Sequence, residues 1–231
     1  MVELFHEDCM ALMARYPDKY FDLAVCDPPF GIGEEWKKRK ISCRAKRFPD
    51  TSYKNSVIPT RRYFQELERV SKHRIIFGYN YFVEFLGPTN YLILWDKCSF
   101  NSGVLYSQAE IAFSSIHRPV QVFSVPWYGY RMGKETATKK IHPHQKPVEL
   151  YVQILRKYAS PGWKILDTHM GSGSSVIACH RLGLDVVASE IDGHYFDAAI
   201  KRINFYLKQG ELFTAKDLQL ETLFEGFNFA V

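Results

Sequence analysis

The segment Trp163–Glu190, WKILDTHMGSGSSVIACHRLGLDVVASE, decides the fold. Trp163 to Leu166 is a short apolar run and reads as a strand. Asp167-Thr168-His169-Met170-Gly171-Ser172-Gly173-Ser174 follows as a glycine-rich turn. A helix from about Ser175 to Leu182 and a second strand from Asp185 to Ser189 complete the unit. Strand, turn, helix, strand is the repeat from which parallel sheets are built. The glycines let backbone approach a ligand, and the helix start offers free N–H groups. Glu190 ends the second strand, near the offset of roughly 20 residues expected of an acid that binds ribose hydroxyls. A carboxylate there accepts from both hydroxyls. Alone, a Gly-Ser-Gly turn is as often a plain tight loop. The strand before it, the helix after it and Glu190 favour nucleoside binding. The third glycine of G-x-G-x-x-G is missing, so a pyrophosphate is not favoured.

Working outward, Phe21–Cys26 (FDLAVC) is another apolar run. It stops at Asp27-Pro28-Pro29-Phe30 and reads as a buried strand ending in a turn. Thr60 is placed to cap a helix to about Ser71, with Phe64, Leu67 and Val70 on one face. Arg74 to Phe77, Tyr91 to Trp95 and Glu110 to Ser114 are further strand candidates. Pro147 to Tyr158 is a helix with Pro147 at its start and Leu150, Ile154, Leu155 and Tyr158 in a stripe. Phe196 to Leu207 is the last strong helix, and the tail beyond Gln209 is weakly patterned. Two stretches are polar and irregular, Gly31–Pro59 and His117–Lys146. The alternation predicts an α/β fold, a mainly parallel sheet wound on both faces, as one domain over residues 1–231.

Asp27-Pro28-Pro29-Phe30 has its own chemistry. The prolines fix the turn and remove two backbone donors, so the Pro28 carbonyl stands without a competing N–H. The Asp27 carboxylate is a second acceptor. Two acceptors at one point suit a group with two N–H donors, such as an aromatic amine, and Phe30 offers a face for a planar base. The same tetrapeptide is also ordinary turn chemistry.

Composition narrows the classes. Of 231 residues, 46% are hydrophobic, enough for a sizeable core, which excludes a chain dominated by disorder. The formal charge of +5 permits a polyanionic partner without demanding one. Its distribution says more, because Lys37, Lys38, Arg39, Lys40, Arg44, Lys46 and Arg47 cluster with no acid among them. The cluster reads as a phosphate-binding loop or as a solvated charge run. The five cysteines form no C-x-x-C pair, so free thiols in a reducing compartment and no metal site are expected. No secretory leader and no membrane-length apolar run is evident, so a cytoplasmic protein is expected.

Three motifs together resemble a known family. Asp27-Pro28-Pro29-Phe30 resembles the D/N/S-P-P-Y/F/W motif of the DNA amino-methyltransferases. His142-Pro143-His144-Gln145-Lys146-Pro147 resembles their H-P-T-Q-K-P helix opening, and Leu166 to Ser175 resembles their L-D-P-F-x-G-S-G-T loop. The order catalytic motif, helix opening, glycine loop is the circularly permuted one of the β group. The similarity covers roughly residues 3–30 and 142–205, with weaker echoes at Phe77-Gly78 and Leu94-Trp95-Asp96-Lys97. Thr168-His169 stands where the family usually has Pro-Phe, and His144 where it has Thr.

The resemblance implies a Rossmann-like fold that binds S-adenosyl-L-methionine and methylates DNA. It implies that the strand before the glycine loop lies beside the strand before Asp27. Asp8 matches the acid on the cofactor's adenine, with Cys9 beside it. Gly171, Ser172, Gly173 and Ser174 surround the methionine part, Asp167, His169 and Met170 count among the cofactor-binding residues of the same loop, Glu190 holds the ribose, and Ile191 packs on the adenine or in the core. Lys146 meets the cofactor carboxylate. The target base is flipped out of the duplex. Asp27 and the Pro28 carbonyl then accept its two amino hydrogens, which localises the nitrogen lone pair for in-line attack. No metal and no covalent enzyme intermediate are called for.

D-P-P-F accompanies adenine N6 more often than cytosine N4 in the family. Sequence readout is expected at about residues 115–140, where Arg118, Trp127, Tyr128, Tyr130 and Arg131 suit grooves and stacking. That region is short, so recognition of double-stranded DNA calls for a homodimer or a partner, or the specificity is low. A cognate restriction endonuclease is one partner consistent with the resemblance. Competing readings are N4-cytosine methylation, methylation of RNA or of a protein glutamine, a non-catalytic cofactor-binding subunit, and a nicotinamide-dependent oxidoreductase. Glutamine chemistry usually goes with N-P-P-Y, and the missing third glycine speaks against the oxidoreductase.

Overall fold

The apolar runs around residues 23, 75 and 165 become the middle of one sheet. The computed structural model describes residues 1–31, 57–98, 107–127, 135 and 140–212, with side chains described to residue 208. Its strands are β1 (Val2–His6), β2 (Phe21–Cys26), β3 (Ser71–Phe77), β4 (Leu92–Asp96), β5 (Ala109–Ser114), β6 (Gln121–Ser124), β7 (Lys164–Asp167) and β8 (Asp185–Glu190). Its helices are α1 (Cys9–Ala14), α2 (Arg61–Val70), α3 (Tyr79–Leu86), α4 (Val148–Tyr158), α5 (Ser174–Arg181) and α6 (Gly193–Leu212). The strand order is β1-β8-β7-β2-β3-β5-β4-β6. Only β5 runs antiparallel to its neighbours, so the sheet is mainly parallel as expected.

Alternate residues of the central strands feed two different cores, which is why these strands read as continuous apolar runs. Leu23, Val25, Ile75, Phe77 and Ile165 face one side and pack against Leu150, Ile154, Val176 and Ile203 of α4, α5 and α6. Ala24, Cys26, Ile76 and Leu166 face the other and pack against Leu12, Phe64, Leu67 and Phe82 of α1, α2 and α3.

The connections decide where a site forms. From β2 the chain crosses through α2 to β3, and from β7 it crosses through α5 to β8. The two crossovers run in opposite directions along the sheet and lie on opposite faces. β2 and β7 are adjacent and parallel, with Leu23 opposite Ile165 and Ala24 opposite Leu166. The chain therefore splays apart at their carboxyl ends, the switch point where open α/β sheets bind ligands. The expected neighbourhood of the two motif-bearing strands is observed.

Several boundaries differ from the sequence expectation. α1 and β6 were not foreseen, being six and four residues long and too short for a periodic signal. α3 was also missed. Thr60 is the N-cap of α2 but makes no side-chain cap bond. Pro147 is the N-cap of α4, not its first helical residue. α6 begins at Gly193 because Asp192 accepts from the N–H groups of His194 and Tyr195 at 2.9 and 3.2 Å. No helix among the described residues is long and apolar enough to cross a membrane.

Candidate active site

A cleft of about 450 Å³ opens at the carboxyl ends of β2 and β7, within the range of about 300–1,000 Å³ usual for ligand pockets. Asp8 and Cys9 line it from the start of α1, and Asp27 and Pro29 from the end of β2. His169, Met170, Gly171, Ser172 and Ser174 line it from the glycine loop, with Glu190 and Ile191 after β8 and Lys146 before α4. Residues more than a hundred positions apart in sequence thus share one wall.

The nucleoside side is built around Glu190. One carboxylate oxygen accepts from the Gly171 N–H at 3.0 Å and the other from the Asp192 N–H at 2.9 Å. Each oxygen keeps a further lone pair for a hydroxyl. Burial raises the Glu190 pKa, partly offset by these backbone donors. Ile191 is 62% exposed, so it is a cleft residue and not a core one. Asp8 caps α1 by accepting from the Met10 N–H at 2.8 Å and remains exposed at the cleft mouth. This donor and acceptor set, with an apolar face at Ile191, fits a nucleoside.

Two expected cofactor residues do not face the cleft. Asp167 lies behind the loop, where it accepts from the His169 N–H at 3.0 Å and from the Ser175 hydroxyl. It braces the turn. Gly173 begins α5 with φ +73°, and a Cβ there would lie 2.7 Å from Ile203 Cδ1. It is needed for the approach of α6.

Thr168 and His169 form a closed polar cluster. Thr168 Oγ1 lies 2.8 Å from the Tyr63 hydroxyl and 2.9 Å from His169 Nδ1. The Tyr63 ring meets His169 edge-on at 5.4 Å. Burial pushes the His169 pKa down to about 4, so the ring is neutral near pH 7. The departure from Pro-Phe is matched by Tyr63, a cleft residue that sequence patterns alone did not single out.

The chemical side differs most from expectation at Lys146. Its ammonium is buried and lies 2.5 Å from Asp27 Oδ2 and 3.1 Å from Glu110 Oε2, so it pairs with protein carboxylates before it can meet a cofactor carboxylate. Glu110 Oε1 in turn pairs with Lys97 Nζ at 2.7 Å. Asp27 Oδ1 is buried and accepts no hydrogen bond among the described residues. Burial raises the Asp27 pKa; Lys146 opposes the rise and Glu110 adds to it. Pro28 is buried behind Asp27. Phe30 packs under α3, where Gly78 leaves room for it: a Cβ on Gly78 would lie 2.3 Å from Phe30 Cε1. One face of Phe30 is already stacked on Tyr81, with centroids 5.0 Å apart and planes at 12°. The expected base-stacking face is therefore shared with Tyr81.

A second buried network ties the helix opening to the glycine loop. Arg202 donates to the Ser172 carbonyl at 2.7 Å and to Glu135 at 2.8 Å. Glu135 accepts from the Val148 N–H at 2.6 Å, satisfying the start of α4. Ser174 donates to the Lys146 carbonyl at 2.6 Å.

The expected DNA-contacting residues fare differently. Lys37, Lys38, Arg39, Lys40, Arg44, Lys46, Arg47, Tyr128, Tyr130 and Arg131 lie outside the described residues. Arg118 follows β5, whose antiparallel course ends at the edge of the sheet away from the cleft, and it lies over Tyr158 at the far end of α4. Trp127 is 7% exposed and donates to the Gln145 carbonyl at 2.7 Å. Neither is placed for groove or stacking contacts at this cleft. Sequence alone does not reveal which end of β5 meets the site.

Comparisons with known proteins agree with this geometry. Residues 94–201 match the family model described as DNA methylase. A segment of 74 residues is 32% identical to the type II methyltransferase M1.MboII of Moraxella bovis, over 32% of this chain and 27% of that protein. The matched part therefore spans about a quarter of that relative's length. Among solved structures, M1.HpyAVI in complex with SAM superposes with a TM-score of 0.58 and 19% identity, covering 88% of this chain and 100% of that one. The cytosine-N4-specific PvuII DNA methyltransferase gives 0.55 and 13%, covering 90% and 92%. The fold is that of the S-adenosyl-L-methionine-dependent DNA methyltransferases. The order of the three motifs resembles that of the β group of DNA amino-methyltransferases, and the matched family model covers residues 94–201.

Proposed function

We propose that the protein transfers a methyl group from S-adenosyl-L-methionine to an exocyclic amino group in DNA, adenine N6 in preference to cytosine N4. The observation that carries this reading is Asp27 at the switch-point cleft, with one carboxylate oxygen held by Lys146 and the other buried without a donor. An acceptor so placed is complementary to an amino N–H. The bound cofactor supplies the electrophilic methyl group. On this reading Glu190 holds its ribose, Ile191 packs on its adenine, and Gly171, Ser172 and Ser174, which line the cleft, meet its amino-acid part.

On this reading the base leaves the duplex at a cost of a few kcal/mol. Asp27 Oδ1 and the Pro28 carbonyl accept its amino hydrogens, so that the nitrogen lone pair is no longer spread into the ring. Asp27 must be ionised to accept, so the rate rises with pH through its raised pKa. The cleft excludes water and fixes geometry, which is most of what this reaction requires. The preference for adenine rests on the aspartate of the tetrapeptide, and the basic cluster Lys37–Arg47 is proposed to hold phosphates.

Labelled cofactor offered with unmethylated duplex DNA, RNA and protein tests the acceptor class; label in DNA alone is expected. Sequencing DNA from a methylation-free host that expresses the protein identifies the base. Asp27→Ala is expected to lower kcat by about 100-fold or more, the scale for removal of one preorganised polar partner. Undiminished methylation by that variant would remove Asp27 from the chemistry.

A further inference from the structure

Glu110 has no place in the motifs, yet it touches the Lys146–Asp27 pair. β5 runs antiparallel to β3 and β4, so its first residues, not its last, reach the carboxyl ends of the parallel strands. Glu110 sits there opposite Trp95. The result is a row of alternating charges: Asp27, Lys146 at 2.5 Å, Glu110 at 3.1 Å from Lys146, then Lys97 at 2.7 Å. Lys146 and Asp27 are largely enclosed, with side-chain exposures of 5% and 15%, so water screens the row weakly.

A buried ammonium beside Asp27 presents a chemical difficulty. Held by Lys146 alone, the carboxylate would be a weak acceptor, because its charge would be committed to one donor. Glu110 divides the attention of that donor. Lys97 then balances Glu110, so the four charges sum to zero.

We infer that Glu110 is a positioning residue for methyl transfer, sharing Lys146 with Asp27 so that Asp27 Oδ1 stays a strong hydrogen-bond acceptor for the target amine. The inference rests on the proposed methyltransferase reading for its meaning, but the charge coupling it asserts can be measured without any substrate. The other titratable groups acting with Asp27 are Asp167 on β7 and Tyr151 on α4. Both are common to all the variants below. Burial opposes the charge on Glu110, but Lys146 and Lys97 together outweigh it and bring the pKa to about 2, so Glu110 is charged throughout the working range.

The test uses two substitutions of opposite sign, E110Q and K97M, in the full chain. Removing the Glu110 charge leaves Lys146 to Asp27 alone, so the Asp27 pKa falls. Removing the Lys97 charge takes a cation away from Asp27, so its pKa rises. Carboxyl carbon NMR of aspartate-labelled protein, with the Asp27 resonance assigned from D27N, reads this directly. The expected shifts are about one unit down in E110Q and a smaller rise in K97M, within the range that neighbouring charges produce. The acid limb of the pH profile for methyl transfer should move in the same directions, with a lower plateau in E110Q and partial rescue in E110D. Loss of packing alone would not move two variants oppositely. An Asp27 titration unmoved in both variants overturns the inference. If the titrations move but the wild-type protein methylates no DNA, the coupling stands and the proposed activity falls.

Discussion

At the scale of single residues, burial sets protonation in this site, and Asp167 shows its consequence for stability. Enclosure pushes the Asp167 pKa up to about 7, against an ordinary value of 3.8, although Ser175 and the His169 N–H both favour the charged form. The folded state therefore binds a proton that the unfolded state has released between those values. Stability is fully present below the unfolded value and is lost as pH rises through about 7. D167N should flatten the decline of Tm between about pH 4 and pH 7, measured by calorimetry, while leaving stability below about pH 4 little changed. An unchanged slope would mean that Asp167 ionises without cost. His169 acts at the other end. Its neutral ring must charge on unfolding below about pH 6.5, so it adds to acid sensitivity.

What could be read from the residues follows from the same physics. Asp27, Glu190 and the glycine turn announce themselves because their chemistry is local to a strand end. Glu110, Glu135, Arg202 and Tyr63 do not, because each acts through a partner distant in sequence. The Arg202–Glu135 bridge spans 67 positions and the Tyr63–Thr168 contact 105. No spacing rule reaches so far. Lys146 was legible as a site residue but not in its orientation, which depends on Glu110 arriving from an antiparallel strand.

At the scale of elements, the glycine loop is held by the helix behind it as much as by its own turn. Gly173 adopts φ +73° where α6 passes, and Ile203 Cδ1 occupies the space of a side chain. G173A must pay both a left-handed backbone cost of about 1 kcal/mol and a displacement of Ile203. A total loss of about 1–3 kcal/mol is expected from urea unfolding, the range for overpacking, with weaker cofactor binding. Adding I203V should recover part of the loss, since it removes Cδ1, but not the backbone part. Full recovery would show that φ is not limiting. Longer elements were readable because their periodicity repeats. α4 buries the stripe Leu150, Ile154, Leu155 and Tyr158 as its sequence suggests. The four residues of β6 contain too little pattern, so a stretch that looked like a recognition loop proves to include an edge strand paired with β4.

At the scale of the molecule, the family resemblance implied that β2 lies beside β7, and the sheet has that pairing. Because the central pair joins the two halves, the halves should open together. Hydrogen exchange is expected to show the amides of β2 and β7 exchanging as one unit, with cofactor protecting both. Rapid exchange in β2 beside a protected β7 would contradict this. The same pairing has a consequence for how the chain is made. Cys26 meets Leu166 across 140 positions, and β1 pairs with β8 across a still longer interval. At about 5–20 residues per second, β2 leaves the ribosome roughly ten seconds before β7 exists. Throughout that interval β3 and α2 can cover one edge and one face of β2, but Leu23 and Val25 still lack the Leu150, Ile154 and Val176 that cover them in the folded protein. The cleft between β2 and β7 is thus among the last features of the newborn chain to form.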